Sequence, residues 1–109
     1  MDPRIRVILK LLKDNLPGKL APADLAVTVN LSPSRLYYLF KMETGTSLAQ
    51  YRRNLRMERA KELLDTTFMS IKEIVVVVGI TDRSHFERDF KRLYGVTPTQ
   101  YRKRFAKAP

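Results

Sequence analysis

The residues equipped to do chemistry in this chain are cations and hydroxyls. Cysteine is absent, which removes thiolate metal sites, disulfides and cysteine nucleophiles. His85 is the only histidine. It sits beside Phe86, where a structural role or a backbone contact to a polyanion suits it better than catalysis. No Gly-rich phosphate loop and no cluster of carboxylates accompanies it. The expectation is no enzyme, no cofactor and no metal. What remains is anion recognition: 21 Lys and Arg face 11 Asp and Glu, a net charge of +10 over 109 residues. Such a surplus points first to nucleic acid and second to an anionic membrane surface.

Placement of the charge separates those two partners. Thr97 to Pro109 carries Arg102, Lys103, Arg104 and Lys107 with no acid, and Arg52 and Arg53 stand at the matching place earlier in the chain. Glu43, Asp82, Glu87 and Asp89 are interleaved with Arg and Lys. A membrane-binding face has little use for that mixture. The longest apolar run, Ile74 to Val78, is too short to span a bilayer. Val7 to Leu12 is broken by Lys10 and followed by Lys13, unlike a secretory leader. A cytoplasmic protein with no membrane partner is expected.

The elements that must hold these residues read as helices throughout. Asp2-Pro3 is an N-cap with proline in the first turn, and Ile5, Ile8, Leu9, Leu12 and Leu16 follow at helical spacing until Pro17-Gly18. A short helix begins at Pro22, and a third at Ser32-Pro33 that ends before Gly45. Ser47-x-x-Gln50, Ser70-x-x-Glu73 and Thr97-x-x-Gln100 are capping boxes for the fourth, fifth and seventh helices. Thr81 or Asp82 caps the sixth, which runs to about Tyr94. No stretch alternates with period two, so the fold class is all-α with seven helices. Ile74 to Val78 is β-branched at every position and reads as a strand in isolation. The box before it and Gly79 after it make it a helix.

The chain contains one unit twice. Residues 25–33 align with 74–82 at an offset of 49, pairing Leu25 with Ile74, Leu31 with Ile80 and Ser32 with Thr81. After one inserted residue, 36–54 align with 86–104 at an offset of 50, with Phe40/Phe90, Lys41/Lys91, Gly45/Gly95, Tyr51/Tyr101 and Arg52/Arg102 identical. Each unit is a short helix, a tight turn, a second helix and a capped third. Asn30 and Gly79 occupy the turn, and these residue types tolerate the positive φ that a helix-turn-helix turn requires. The fourth helix changes face: Leu48, Tyr51 and Leu55 on one side, Met57, Ala60 and Leu64 nearly opposite. A helix serving two small cores reads this way. The organisation expected is a first subdomain at 3–46, a linker helix at 47–65 and a second subdomain at 66–109. At ~1.5 Å per residue the linker spans about 27 Å. That length suits two second helices placed about 34 Å apart, one DNA turn.

Two stretches, SPSRLYYLFKMETGTSLAQYRRNLRMERAKELL (Ser32–Leu64) and SIKEIVVVVGITDRSHFERDFKRLYGVTPTQYRKR (Ser70–Arg104), resemble the DNA-binding domain of the AraC/XylS family of bacterial transcription regulators. The resemblance covers nearly the whole chain from about Ile5. A separate sensor domain has no room, so the chain is similar to stand-alone members or to the excised DNA-binding part of a longer regulator; Met1 before a helix cap favours a native start. The resemblance implies a sequence-specific double-stranded DNA-binding regulator, monomeric as this chain, with RNA polymerase as a further partner. It implies that the third and sixth helices enter successive major grooves. Base-facing candidates are then Ser34, Arg35, Tyr37 and Tyr38, and Arg83, Ser84, Glu87 and Arg88. Phosphate candidates are Ser32, Lys41 and Arg52, and Thr81, Lys91 and Arg102.

Arg83 and Arg88 suit guanine O6 and N7, Glu87 suits cytosine N4, and the tyrosines suit thymine methyls or the backbone. Two positions depart from the family pattern. Tyr38 stands where an Arg is usual, as Arg88 is in the second unit, and Val75 stands where Ala is usual. The second half-site is therefore expected to carry more sequence information. A nonspecific or architectural nucleic-acid binder is the alternative, sharing the charge without the readout.

Overall fold

The computed structural model describes residues 1–16, 18 and 20–104, and among these it has seven helices and no strand. They are α1 (Pro3–Asp14), α2 (Pro22–Thr28), α3 (Pro33–Thr44), α4 (Leu48–Thr66), α5 (Ile71–Val77), α6 (Arg83–Tyr94) and α7 (Pro98–Arg104). Pro17 and Lys107, which entered the reading of the sequence, lie outside the described residues. No helix among the described residues is long and apolar enough to cross a membrane.

The chain divides into two compact units, Met1–Leu55 and Arg56–Pro109. In unit 1, Ile5, Ile8 and Leu12 of α1 pack with Leu25, Ala26, Val29, Leu36, Phe40 and Leu48, and Tyr51 and Leu55 close over them. In unit 2 the core is Met57, Ala60, Leu63, Leu64, Ile74, Val75, Val78, Phe86 and Phe90, with Tyr94 and Tyr101 against it. The division falls inside α4, so one helix supplies both cores from its two faces, as the switch of apolar residues required.

The repeat reaches further back than residue-by-residue identity shows. Ile5, Ile8 and Leu12 in the first core are matched by Met57, Ala60 and Leu64 in the second, at i, i+3 and i+7. The ends of the two helices match as well. The Asn15 N–H and side-chain amide both donate to Leu11 O, and the Thr67 N–H and hydroxyl both donate to Leu63 O. The second half of α4 is to unit 2 what α1 is to unit 1.

Local chemistry sets the boundaries. Asp2 Oδ1 accepts the Arg4 N–H at 2.8 Å, and Ser32 Oγ accepts the Arg35 N–H at 3.2 Å. α6 is capped by Asp82, whose Oδ1 accepts the His85 N–H at 3.0 Å. That resolves the choice between Thr81 and Asp82. It also moves the inserted residue: Ser32 corresponds to Asp82 as a cap, and Thr81 is the extra residue in the turn.

The boxes at Ser70/Glu73 and Thr97/Gln100 close in both directions. The one at Ser47 closes only halfway. Gln50 turns forward instead, donating to Asn54 Oδ1 and accepting from Arg53, whereas unit 2 has Lys103 and Arg104 at those places. The valine-rich segment is helical, with Ile74, Val75 and Val78 buried; tertiary packing overrides its β-branched preference.

Candidate nucleic-acid interface

The turn between the first two helices of each repeat is the same object in both units. Asn30 has φ 58° and Gly79 φ 80°. The Leu31 N–H reaches Ala26 O at 2.9 Å and the Asn30 N–H reaches Val27 O at 3.1 Å. In unit 2 the Ile80 N–H reaches Val75 O at 2.8 Å and the Gly79 N–H reaches Val76 O at 3.1 Å. This is a Schellman closure, and it needs a left-handed residue at each of those two positions. It sets the direction in which the next helix leaves. Ala26 and Val75, the residue where the family usually has Ala, occupy the same place in the turn, both buried.

α3 and α6 follow those turns, each with one buried stripe. Leu36 and Phe40 anchor α3; Phe86 and Phe90 anchor α6. The opposite stripe is exposed and carries Ser34, Tyr38 and Lys41 in unit 1, and Ser84, Arg88 and Lys91 in unit 2, at i, i+4 and i+7. Arg35, Tyr37 and Arg83 flank it, also exposed, and Glu87 is half-buried beside it. The structure thus brings the eight base-facing candidates onto two outward helix faces, four to each.

Electrostatics distinguish the two faces. On α6, Arg83 Nε lies 3.3 Å from Glu87 Oε1, and Asp89 takes Arg92 at 3.1 Å and His85 Nδ1 at 3.6 Å. Arg88 and Lys91 form no ion pair among the described residues, so their charge stays available between two neutralised flanks. α3 has no such internal pairing. Its one acid, Glu43, accepts the Asp2 N–H at 3.0 Å, and its face offers Arg35, Lys41 and two exposed tyrosines. Tyr38 is 62% exposed, a large apolar ring presented to solvent.

The phosphate candidates are placed unequally. Ser32 is exposed at the start of α3, its oxygen occupied as the cap and 3.5 Å from the Ser34 hydroxyl. Thr81 is exposed in the turn. Lys41 and Lys91 are exposed on their helices, and Arg52 is half-buried, its guanidinium without a hydrogen bond among the described residues. Arg102 is placed differently from Arg52. Its guanidinium turns inward and donates to Met69 O, to Thr67 O at 3.2 Å and to Leu63 O at 3.5 Å. Thr67 O and Met69 O lie in the turn after α4, past the helix's own hydrogen bonds, and the Arg102 guanidinium reaches them; Leu63 O, already taken by the Thr67 N–H and hydroxyl, is a third and longer contact.

Beside Arg102 lies a cluster that the reading of the sequence missed. The Tyr101 hydroxyl donates to Asp65 Oδ1 at 2.8 Å. Lys61 Nζ stands 5.4 Å from the Tyr101 ring centroid and 5.7 Å from that of Tyr94. Burial, reinforced by the bond to Asp65, pushes the Tyr101 phenol up. Hydrogen bonding to Tyr101 raises Lys61, which therefore stays cationic over the rings. The i,i+4 spacing of Lys61 and Asp65 was the visible signal.

Comparison with known proteins agrees with this geometry. The family described as a helix-turn-helix domain matches residues 25–104. The arabinose operon regulatory protein of Escherichia coli K12 is 38% identical over 103 residues, which is 94% of this chain and 35% of that protein. The chain thus spans about a third of the length of that curated relative. Among solved structures, a transcriptional regulator of AraC-type DNA-binding domain-containing proteins from Chromobacterium violaceum superposes with a TM-score of 0.84 at 31% identity, covering 93% of this chain and 90% of that one. The DNA-binding domain of AdpA, a global transcriptional factor solved with a target DNA, superposes with a TM-score of 0.82 at 25% identity, covering 94% and 92%.

Proposed function

The chain belongs to the AraC-type helix-turn-helix family, and from that premise we propose that it binds double-stranded DNA sequence-specifically as a regulator of transcription. In this reading it acts as a monomer and sets α3 and α6 into successive major grooves. The observation that carries the reading is the duplicated turn. Asn30 and Gly79 close it identically, and each is followed by a helix whose outward stripe is polar or aromatic and whose inward stripe is core. Arg88 reads guanine through a bidentate fork, Glu87 and Arg83 act as a pair beside it, and Tyr37, Tyr38 and Arg35 supply the readout of the first unit. Lys41, Lys91, Ser32, Thr81 and Arg52 hold phosphates. The net charge of +10 drives encounter and makes affinity fall steeply with salt. RNA polymerase is the further partner expected of a regulator.

The names of the relatives support a role in transcription, and the AdpA domain solved with a target DNA supports DNA as the partner. Selection from a random duplex pool at fixed physiological salt tests the whole reading. The expected product is a motif with two half-sites about 10 base pairs apart. A pool that binds but returns no motif supports the architectural alternative and overturns sequence-specific regulation.

A further inference from the structure

Arg52 and Arg102 hold the same place in the repeat, each directly after a tyrosine that stacks edge-on against the inner phenylalanine of the preceding helix. Tyr51 meets Phe40 with centroids 5.4 Å apart, and Tyr101 meets Phe90 at 5.7 Å. Equal position suggests equal duty, but the surroundings differ. Around Arg102 the end of α4 offers Leu63 O, and the following turn offers Thr67 O and Met69 O. Its Nε is buried without a partner. The half-buried guanidinium is held by its other two nitrogens and by the partial negative charge of the α4 C-terminus. Next to it, Tyr101 is tied to Asp65 and roofed by Lys61. In unit 1, Leu9 and Lys13 stand where the helical register of unit 2 has Lys61 and Asp65. The Lys–Asp pair is absent there, and the Arg52 guanidinium makes no hydrogen bond among the described residues.

We propose that the two arginines have divided the work: Arg102 is a positioning residue that locks α7 to the end of α4 and, through Tyr101, fixes α6, whereas Arg52 is the one that meets a phosphate. The Arg52 half rests on the DNA-binding reading; the Arg102 half stands without it. Two separate guanidinium nitrogens reach Met69 O and Thr67 O, an arrangement that the single nitrogen of a lysine does not reproduce, so lysine does not replace Arg102. A phosphate accepts either head group, so lysine does replace Arg52.

The test compares Arg52→Ala, Arg52→Lys, Arg102→Ala and Arg102→Lys in the full chain. Duplex affinity is measured against salt, and thermal melting and amide hydrogen exchange are measured without DNA. Arg52→Ala is expected to reduce the slope of log affinity against log salt by about 0.9 with melting unchanged, and Arg52→Lys to restore it. Arg102→Lys is expected to fare as badly as Arg102→Ala. Exchange protection falls across α6 but not α3, the unit 2 midpoint drops by about 5 °C or more, and the salt slope of the remaining binding is unchanged. An Arg102 variant that unfolds unit 2 alone supports the assignment, and one that loosens both units alike overturns it. Wild-type exchange in Arg102→Lys together with a lost unit of slope in Arg102→Ala also overturns it. If the wild type binds no duplex, the proposed function fails while the exchange data still decide Arg102.

Discussion

Units 1 and 2 are one backbone device finished with two chemistries. The turns at Asn30 and Gly79, the left-handed ends at Gly45 and Gly95, and the inner pairs Leu36/Phe40 and Phe86/Phe90 correspond position by position. What surrounds them does not. Unit 2 gathers four aromatic rings: Phe90 stands against Phe86, Tyr94 and Tyr101, with centroids 5.9, 4.6 and 5.7 Å away. Unit 1 pairs Phe40 with Tyr51 alone. Unit 2 faces outward with paired charges around Arg88, and unit 1 faces outward with tyrosines and Met42. Geometry that must be repeated is carried by turns and caps. Chemistry that is free to diverge sits on the exposed stripe and in the outer layer of the core.

The largest effect expected from this comparison is on stability. Removing a buried Phe costs about 3–5 kcal/mol. Phe90→Ala also dismantles the ring cluster, so it should fall at the upper end and Phe40→Ala at the lower, measured by urea unfolding of the two variants. Equal losses would break the contrast between the cores. Next comes readout. Arg88→Ala should cost about 1–3 kcal/mol of binding and relax one base, whereas Tyr38→Ala, at the matching position, should cost less and change selection little. A loss for Arg88→Ala that is equal on selected and random duplexes would remove Arg88 from base reading.

The smallest effect is a pH dependence. The Ser70 N–H and hydroxyl hold the Glu73 carboxyl below its usual range. Its folded pKa is therefore under the unfolded one. Its contribution is present above the unfolded value and is lost as pH falls through the folded value. In unit 1, Asp24 accepts the Ala21 N–H at 3.2 Å, but Ala21 has no side-chain oxygen to return the bond. Acid titration followed by exchange should loosen the start of α5, and Glu73→Gln should flatten that response. An identical acid profile in Glu73→Gln would show that the box contributes nothing.

Much of this was legible in the residues themselves. Asn30 announced a positive φ because few other side chains tolerate it, and the apolar switch between Leu55 and Met57 announced two cores on one helix. Local chemistry speaks for caps and turns because its range is a few residues. The extra residue in the second turn was harder. Thr81 and Asp82 both suit a cap, and only the bond to the His85 N–H separates them. The inward turn of Arg102 was not legible because its acceptors lie more than thirty positions earlier in the chain, and nothing in its own segment reports them. The kinship of α1 with the second half of α4 was hidden because only the pattern is kept. Ile5 and Ile8 stand against Met57 and Ala60, and across 5–15 and 57–67 only Leu11/Leu63 and Leu12/Leu64 are identical.

The shared helix has a practical consequence for dissecting the molecule. A boundary drawn at either end of α4 leaves one unit short of a wall: a fragment stopping before Leu48 loses Leu48, Tyr51 and Leu55, and one starting after Thr66 loses Met57, Ala60, Leu63 and Leu64. Each fragment must therefore keep its own half of α4, through Leu55 for unit 1 and from Met57 for unit 2.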